Sequence, residues 1–110
     1  MMAFDEELAE RIRAYLADDL SFSERRMFGG LAFLCLGNMA FGIIGDGLLV
    51  RVHRDDYDEI LARPHARVMD FTGRAMRGFV SVEPEGFIDD TALHAWLALG
   101  EDVASSLPPK

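Results

Sequence analysis

The sequence predicts a single α+β domain, an antiparallel sheet with helices on one side, in the order α-β-β-β-α-β-β-α. Three observations carry this expectation. Apolar residues recur at helical spacing near both ends: Leu8, Ile12, Tyr15 and Leu16 in one stretch, Leu93, Trp96, Leu97 and Val103 in the other. Between them lie short apolar runs broken by Gly29-Gly30, Gly37-Asn38 and Asp46-Gly47, the punctuation of strands and tight turns. The chain has 110 residues, half of them hydrophobic, with eight Phe and six Met. That is one domain's worth, enough to bury roughly two-thirds of its unfolded surface. The whole of residues 1–110 reads as one domain, its ordered core running from about residue 4 to about residue 104.

The first helix is expected from Asp5 to Asp19, with Asp5, Glu6 and Glu7 crowding its positive end. A strand from Arg26 to Leu34 follows, with Gly29-Gly30 as a bulge or a close backbone approach. Gly37-Asn38 turns the chain into a second strand, Met39–Ile44. Asp46-Gly47 is a strong hairpin signal because both residue types tolerate positive φ, and Leu48–Val52 is the third strand. Arg54–Arg63 reads as a short helix carrying Tyr57, Ile60 and Leu61, ended by Pro64. Strands at Arg67–Phe71 and Gly78–Val82 are expected around a turn at Thr72-Gly73. Asp89 or Asp90 caps the last helix, which Gly100 ends or bends.

Charge and cysteine usage narrow the setting. Nineteen acidic against eleven basic residues give a net charge of −8, which opposes both duplex nucleic acid and anionic membrane. The local exceptions are Arg25-Arg26 and the pair Arg74 and Arg77. Cys35 is the sole cysteine, so no intrachain disulfide forms, as suits a reducing, cytoplasmic setting. Met1–Ala3 runs straight into acidic residues, the wrong polarity for a signal peptide. The apolar stretch from Leu31 to Val50 is too often interrupted by glycine to read as a membrane span.

No catalytic pattern emerges. His53, His65 and His94 are isolated from one another, and Asp55, Asp56 and Asp58 beside His53 read as an acidic helix start, so neither metal nor cofactor is expected. Cys35 lies in the apolar run Phe33-Leu34-Cys35-Leu36 with no cationic neighbour to activate it, and reads as a small buried hydrophobe. Ser21, Ser23 and Ser81 lack a nucleophile-elbow context. The glycines of Gly42-Ile43-Ile44-Gly45-Asp46-Gly47 continue into strand rather than helix, which excludes a phosphate loop. Phe28, Phe33 and Phe41 near Arg25, Arg26 and Arg51 form a weak stacking pattern for single-stranded nucleic acid that reads better as core.

The run Arg26-Met27-Phe28-Gly29-Gly30-Leu31, followed by Gly37-Asn38-Met39-Ala40-Phe41-Gly42, resembles the amino-terminal domain of the TfoX/Sxy competence-regulator family. Leu48-Leu49-Val50-Arg51-Val52 is similar to that family's third strand, and Arg77-Gly78-Phe79-Val80-Ser81-Val82-Glu83-Pro84 to its late strand. Trp96-Leu97 falls where that family has its final helix. The resemblance spans Leu8 to Leu99. It implies a secretion-chaperone-like α+β fold and a non-enzymatic role of transcriptional co-activator type in DNA-uptake competence. It also implies that full-length members carry a second, carboxy-terminal domain. This chain is expected to resemble the stand-alone amino-terminal proteins. The motif residues it marks are Arg26, Met27, Phe28, Gly29, Gly30 and Arg51. Of these, Met and Phe are core-filling types and glycines permit close backbone approach, whereas Arg26 and Arg51 could grip a carboxylate or phosphate.

Three functional readings stand. The first is a regulatory module that binds another protein. The second is an acidic chaperone-like binder of extended peptides, acting through a sheet face or edge. The third is a small-ligand-binding protein or enzyme using Arg26 and Arg51. A homodimer is compatible with each, since an open sheet leaves an edge or face to cover.

Overall fold

Asp5 starts the first helix as the sequence requires. In the computed structural model, which describes residues 4–17, 19–27, 29–70 and 75–109, its Oδ1 accepts from the backbone N–H of Glu7 at 2.9 Å and of Leu8 at 3.2 Å. Helix α1 spans Glu6–Leu16 and ends at Ala17, whose φ of 52° breaks the helical path. It buries Leu8, Ala9 and Ile12.

Four strands follow rather than three: β1 (Phe22–Met27), β2 (Gly30–Cys35), β3 (Asn38–Ile44) and β4 (Gly47–Arg51). The expected strand Arg26–Leu34 is in fact the end of β1, a tight turn and most of β2. Met27 pairs with Gly30 across that turn, where Gly29 takes a φ of 73°. The missed strand β1 contributes Ser23, Glu24, Arg25 and Arg26, all exposed, so its apolar signal is confined to its two ends. As an edge strand it pairs on one side only, with β2. The other two hairpin turns sit one residue earlier than expected. Leu36 and Gly37 form the first, both at positive φ (50° and 89°), the signature of a turn whose twist matches its strands. Gly45-Asp46 form the second, between the paired Ile44 and Gly47. Asn38 is drawn into the strand because its buried side chain donates from Nδ2 to the Pro108 carbonyl at 2.9 Å, tethering the carboxy-terminal tail.

Helix α2 (Tyr57–Leu61) follows a 3-10 turn at Arg54–Asp56. Strands β5 (Ala66–Asp70) and β6 (Ala75–Val82) come next, then a 3-10 turn at Pro84–Phe87 and helix α3 (Asp90–Ser106). The Thr72-Gly73 turn lies outside the described residues. The six strands form one antiparallel sheet in the order β1-β2-β3-β4-β6-β5. Side chains alternate across a strand. Leu31, Phe33, Phe41, Ile43, Leu48, Val50, Val80 and Val82 therefore share one face, where they form a single core with residues of all three helices. Leu8 and Ile12 come from α1, Tyr57 and Ile60 from α2, and Leu93 and Leu97 from α3. The described helices thus lie on one side of the sheet, as the sequence predicts. No helix among the described residues is long and apolar enough to cross a membrane.

Gly100 does not end α3, which continues to Ser106. Its role is contact. A Cβ at this position would lie 2.1 Å from the Ala40 carbonyl oxygen and 3.2 Å from the Phe41 ring. Ala40 is itself the extra residue of a bulge: Phe33 pairs with Phe41, but Leu34 pairs with Met39. The bulge and the missing side chain together bring helix backbone against sheet backbone.

Candidate functional site

The motif residues do not converge on one point. Arg26 faces the helical side, its guanidinium 5.6 Å from the centre of the Phe4 ring. Arg51 stands one position beyond Val50, a core-facing residue, and so points from the opposite face. There it lies 5.8 Å from the Phe79 ring centre, and Nη1 donates to the Met39 carbonyl at 3.2 Å. That carbonyl adjoins the bulge at Ala40. Arg25 and Arg26, adjacent in sequence, likewise project from opposite faces of β1. Met27 is half-buried. Gly29 forms the β1–β2 turn, and a Cβ on Gly30 would fall 2.0 Å from the Ile43 carbonyl oxygen. Phe28 and Arg74 lie outside the described residues, as does the Arg77 side chain.

The histidines are also apart. His53 Nε2 lies 3.0 Å from Asp102 of α3, not among Asp55, Asp56 and Asp58. His65 is 3.9 Å from Glu83, and His94 packs on Tyr15 with ring centres 4.8 Å apart.

A concavity of about 430 Å³ opens elsewhere, between α3 and the connection from α1 to β1. Phe22 and Cys35, which face each other across β1 and β2, form its floor. Ala98, Glu101, Asp102 and Ser105 recur at helical spacing and make the wall along α3, while Asp19 and Ser21 make the lip. Each carboxylate has a partner among the described residues. Asp19 accepts from the Ser21 N–H at 2.9 Å, Glu101 from the Tyr15 hydroxyl at 2.8 Å, and Asp102 lies against His53. Burial and the Glu101 carboxylate push Tyr15 up to about 12, so it remains a donor that ties α1 to α3. Burial also pushes the Cys35 thiol up, helped by the negative charges of Asp19 and Glu101. A raised thiol is a poor nucleophile at neutral pH, in keeping with the structural role expected of Cys35. Arg13, lining a smaller depression next door, is committed to Glu24 and Glu10. This cleft escaped the sequence reading because Asp19, Cys35 and Glu101 are brought together only by α3 crossing the sheet. The one legible signal was the acidic pair Glu101-Asp102 on a helix face that also carries Ala98.

The fold and the Gly29-Gly30 hairpin are those of a compact α+β module built around a bulged meander. Residues 14–104 match the TfoX N-terminal domain model. The chain belongs to that family, a domain of competence regulators. Searches of curated proteins and of solved structures return no significant match.

Proposed function

We propose that this chain is a non-enzymatic regulatory module that acts by binding another protein, in the manner of a transcriptional co-activator controlling competence genes. The match to the TfoX N-terminal domain across residues 14–104 carries this reading. Its motif arginines fit it too, because each is engaged by an aromatic ring on a separate face rather than gathered at a reaction centre. The antiparallel sheet with helices on one side is compatible with a secretion-chaperone-like architecture. A second reading, an acidic peptide binder, is favoured by the carboxylate-lined cleft beside α3. The cytoplasm is the setting that a lone buried thiol and the net charge of −8 suit best.

Transcript profiling of a strain lacking the gene, against the same strain complemented, tests the regulatory role. Altered levels of DNA-uptake transcripts, restored by complementation, are expected. An unchanged transcript profile would overturn the proposal.

A further inference from the structure

We infer that the open edge of β1 is a self-association surface, pairing antiparallel with β1 of a second copy about a two-fold axis through Arg25. This goes beyond the regulatory role proposed above and does not depend on it. The register of β1 against β2 is constant from Phe22 to Met27, so the strand has no bulge, and it holds neither proline nor lysine. Those are devices that ordinarily blunt a sheet edge. The opposite edge has one: β5 is interrupted by a bulge between Val68 and Asp70. Backbone parity fixes which groups β1 presents. The Leu36 N–H donates to the Ser21 carbonyl at 2.7 Å, continuing the register in which Phe22 faces Cys35. Bonded pairs alternate along an antiparallel ladder, so Ser23, Arg25 and Met27 bond to β2, whereas Phe22, Glu24 and Arg26 direct their backbone groups away from it. The Phe22 N–H agrees with this parity, donating to the Asp19 carbonyl and not to β2. Glu24 and Arg26 thus hold both N–H and C=O toward whatever pairs with the edge.

The strand's charges, which are of both signs, select the occupant. A two-fold axis normal to the sheet keeps its faces matched, so residues paired across the axis share a face. Centred on Arg25, the axis sets Glu24 opposite Arg26 of the second copy and Arg26 opposite its Glu24. Both pairs lie on the helical side and carry opposite charges. Centred on Glu24 or on Arg26, the axis instead opposes like charges at a bonded pair, which is destabilising. A centre nearer either end shortens the ladder. The Arg25 register therefore wins. Its one adverse contact is Arg25 with its own copy, on the outer face, where the two long side chains splay into solvent. Arg13 already donates to both Glu24 oxygens at 2.8 Å. An ionised carboxylate has about four acceptor sites, so Glu24 accepts a second arginine without releasing the first. Arg26 meets the Phe4 ring at 5.6 Å and, among the described residues, no carboxylate. The product is one continuous antiparallel sheet made from two six-stranded ones, with the described helices of both copies on the same side. A single edge buries less than a standard stable interface, so the association is reversible and concentration-dependent.

Sedimentation equilibrium of the full chain, from low micromolar to millimolar concentration, measures the association, with urea unfolding as the check that each variant is folded. The parent is expected to pass reversibly from monomer to dimer. Arg26→Glu opposes carboxylates twice across the axis and should weaken the dimer by roughly tenfold. Arg25→Thr removes the like-charge contact on the axis and should tighten it by roughly threefold. Because Arg26 directs its N–H away from β2, Arg26→Pro leaves the β1–β2 ladder its donors and should abolish the dimer while the chain stays folded. Crosslinking gives a readout of register independent of affinity. In a Cys35→Ala background, Arg25→Cys meets its own copy on the axis and should form a disulfide-linked dimer with oxidised glutathione. Ser23→Cys, whose opposite residue is Met27, should crosslink far more slowly. A parent that stays monomeric at millimolar concentration, an undiminished dimer of folded Arg26→Pro, or equal crosslinking from positions 23 and 25 would each overturn the inference.

Discussion

Replacing Gly100 by alanine is ordinarily a favourable change inside a helix, worth about 1 kcal/mol in propensity. Here the sign should reverse. The new Cβ would sit 2.1 Å from the Ala40 carbonyl oxygen and 2.9 Å from its carbon, against backbone that cannot rotate away. Relieving the overlap requires α3 to retreat by roughly 1 Å, and a gap of that size forfeits about a quarter to a half of each dispersion contact across it. Leu93, Trp96, Leu97 and Val103 all lie on the buried side of α3 and share that loss. Overpacking that forces a backbone shift costs about 1–3 kcal/mol, and the upper part of that range applies when the obstacle is main chain. Less the propensity gain, the net destabilisation is about 2 kcal/mol, or a fall in Tm of roughly 8–16 °C for a domain of this size. Trp96, the single tryptophan, is buried with its Nε1 donating to the Gly86 carbonyl at 3.1 Å, so its fluorescence reports unfolding directly. Urea titrations followed by that signal and by far-UV circular dichroism supply the comparison. The exposed Ala95→Gly change on the same helix calibrates propensity alone, at a cost of about 1 kcal/mol. A Gly100→Ala protein as stable as the parent would refute the close approach of α3 to the β3 bulge.

Four further outcomes are expected. Arg51→Ala should cost about 1–2 kcal/mol in urea unfolding, because the Met39 carbonyl loses a charged donor and Phe79 its cation; an unchanged midpoint would remove Arg51 from the bulge. Gly45→Ala places a side chain at φ 61° with open space around it, so it should cost about 1–2 kcal/mol through backbone strain alone. Hydrogen bonds from Arg13 hold Glu24 below its ordinary value, so this pair stabilises the fold fully above the usual carboxylate range and loses that contribution as pH falls through the lowered value. Because both side chains are about a third exposed, the pair is worth only about 0.5–1 kcal/mol, and the deficit of Glu24→Gln at pH 7 should shrink and disappear in urea titrations as pH falls through the lowered value. Finally, alkylation of Cys35 at pH 7.5 should run at least about tenfold slower in the native chain than in urea, since burial and neighbouring carboxylates disfavour the thiolate; equal rates would contradict its burial.

What was legible in the sequence is what local chemistry specifies. The α1 cap at Asp5 and the α3 cap at Asp89 follow from side chains that bond their own helix ends. The apolar faces of the helices and of β2 to β4 follow from periodicity, and the family from the Gly29-Gly30 and Gly37-to-Gly42 segments. Strand β1 was obscured because an edge strand with four exposed central residues lacks the apolar alternation that marks a half-buried one. The hairpin turns were displaced by one residue because Asn38 and Gly47 are turn-forming types. Only the Pro108 contact and the pairing with Ile44 draw those residues into strands.

The candidate site shows the same division. Glycine at position 100 has a local reading, helix end or kink, and a tertiary one, passage of α3 over Ala40; nothing within its own helix distinguishes them. Arg26 and Arg51 share a family motif, but strand parity sends them to opposite faces. Asp19, Cys35 and Glu101 are distant along the chain and meet only where α3 crosses the sheet. The sequence by itself determined the elements, their caps and their buried faces, because those depend on residues a few positions apart. The tertiary structure alone decided which faces adjoin and where charge accumulates, because such contacts depend on crossing geometry that no short-range pattern encodes.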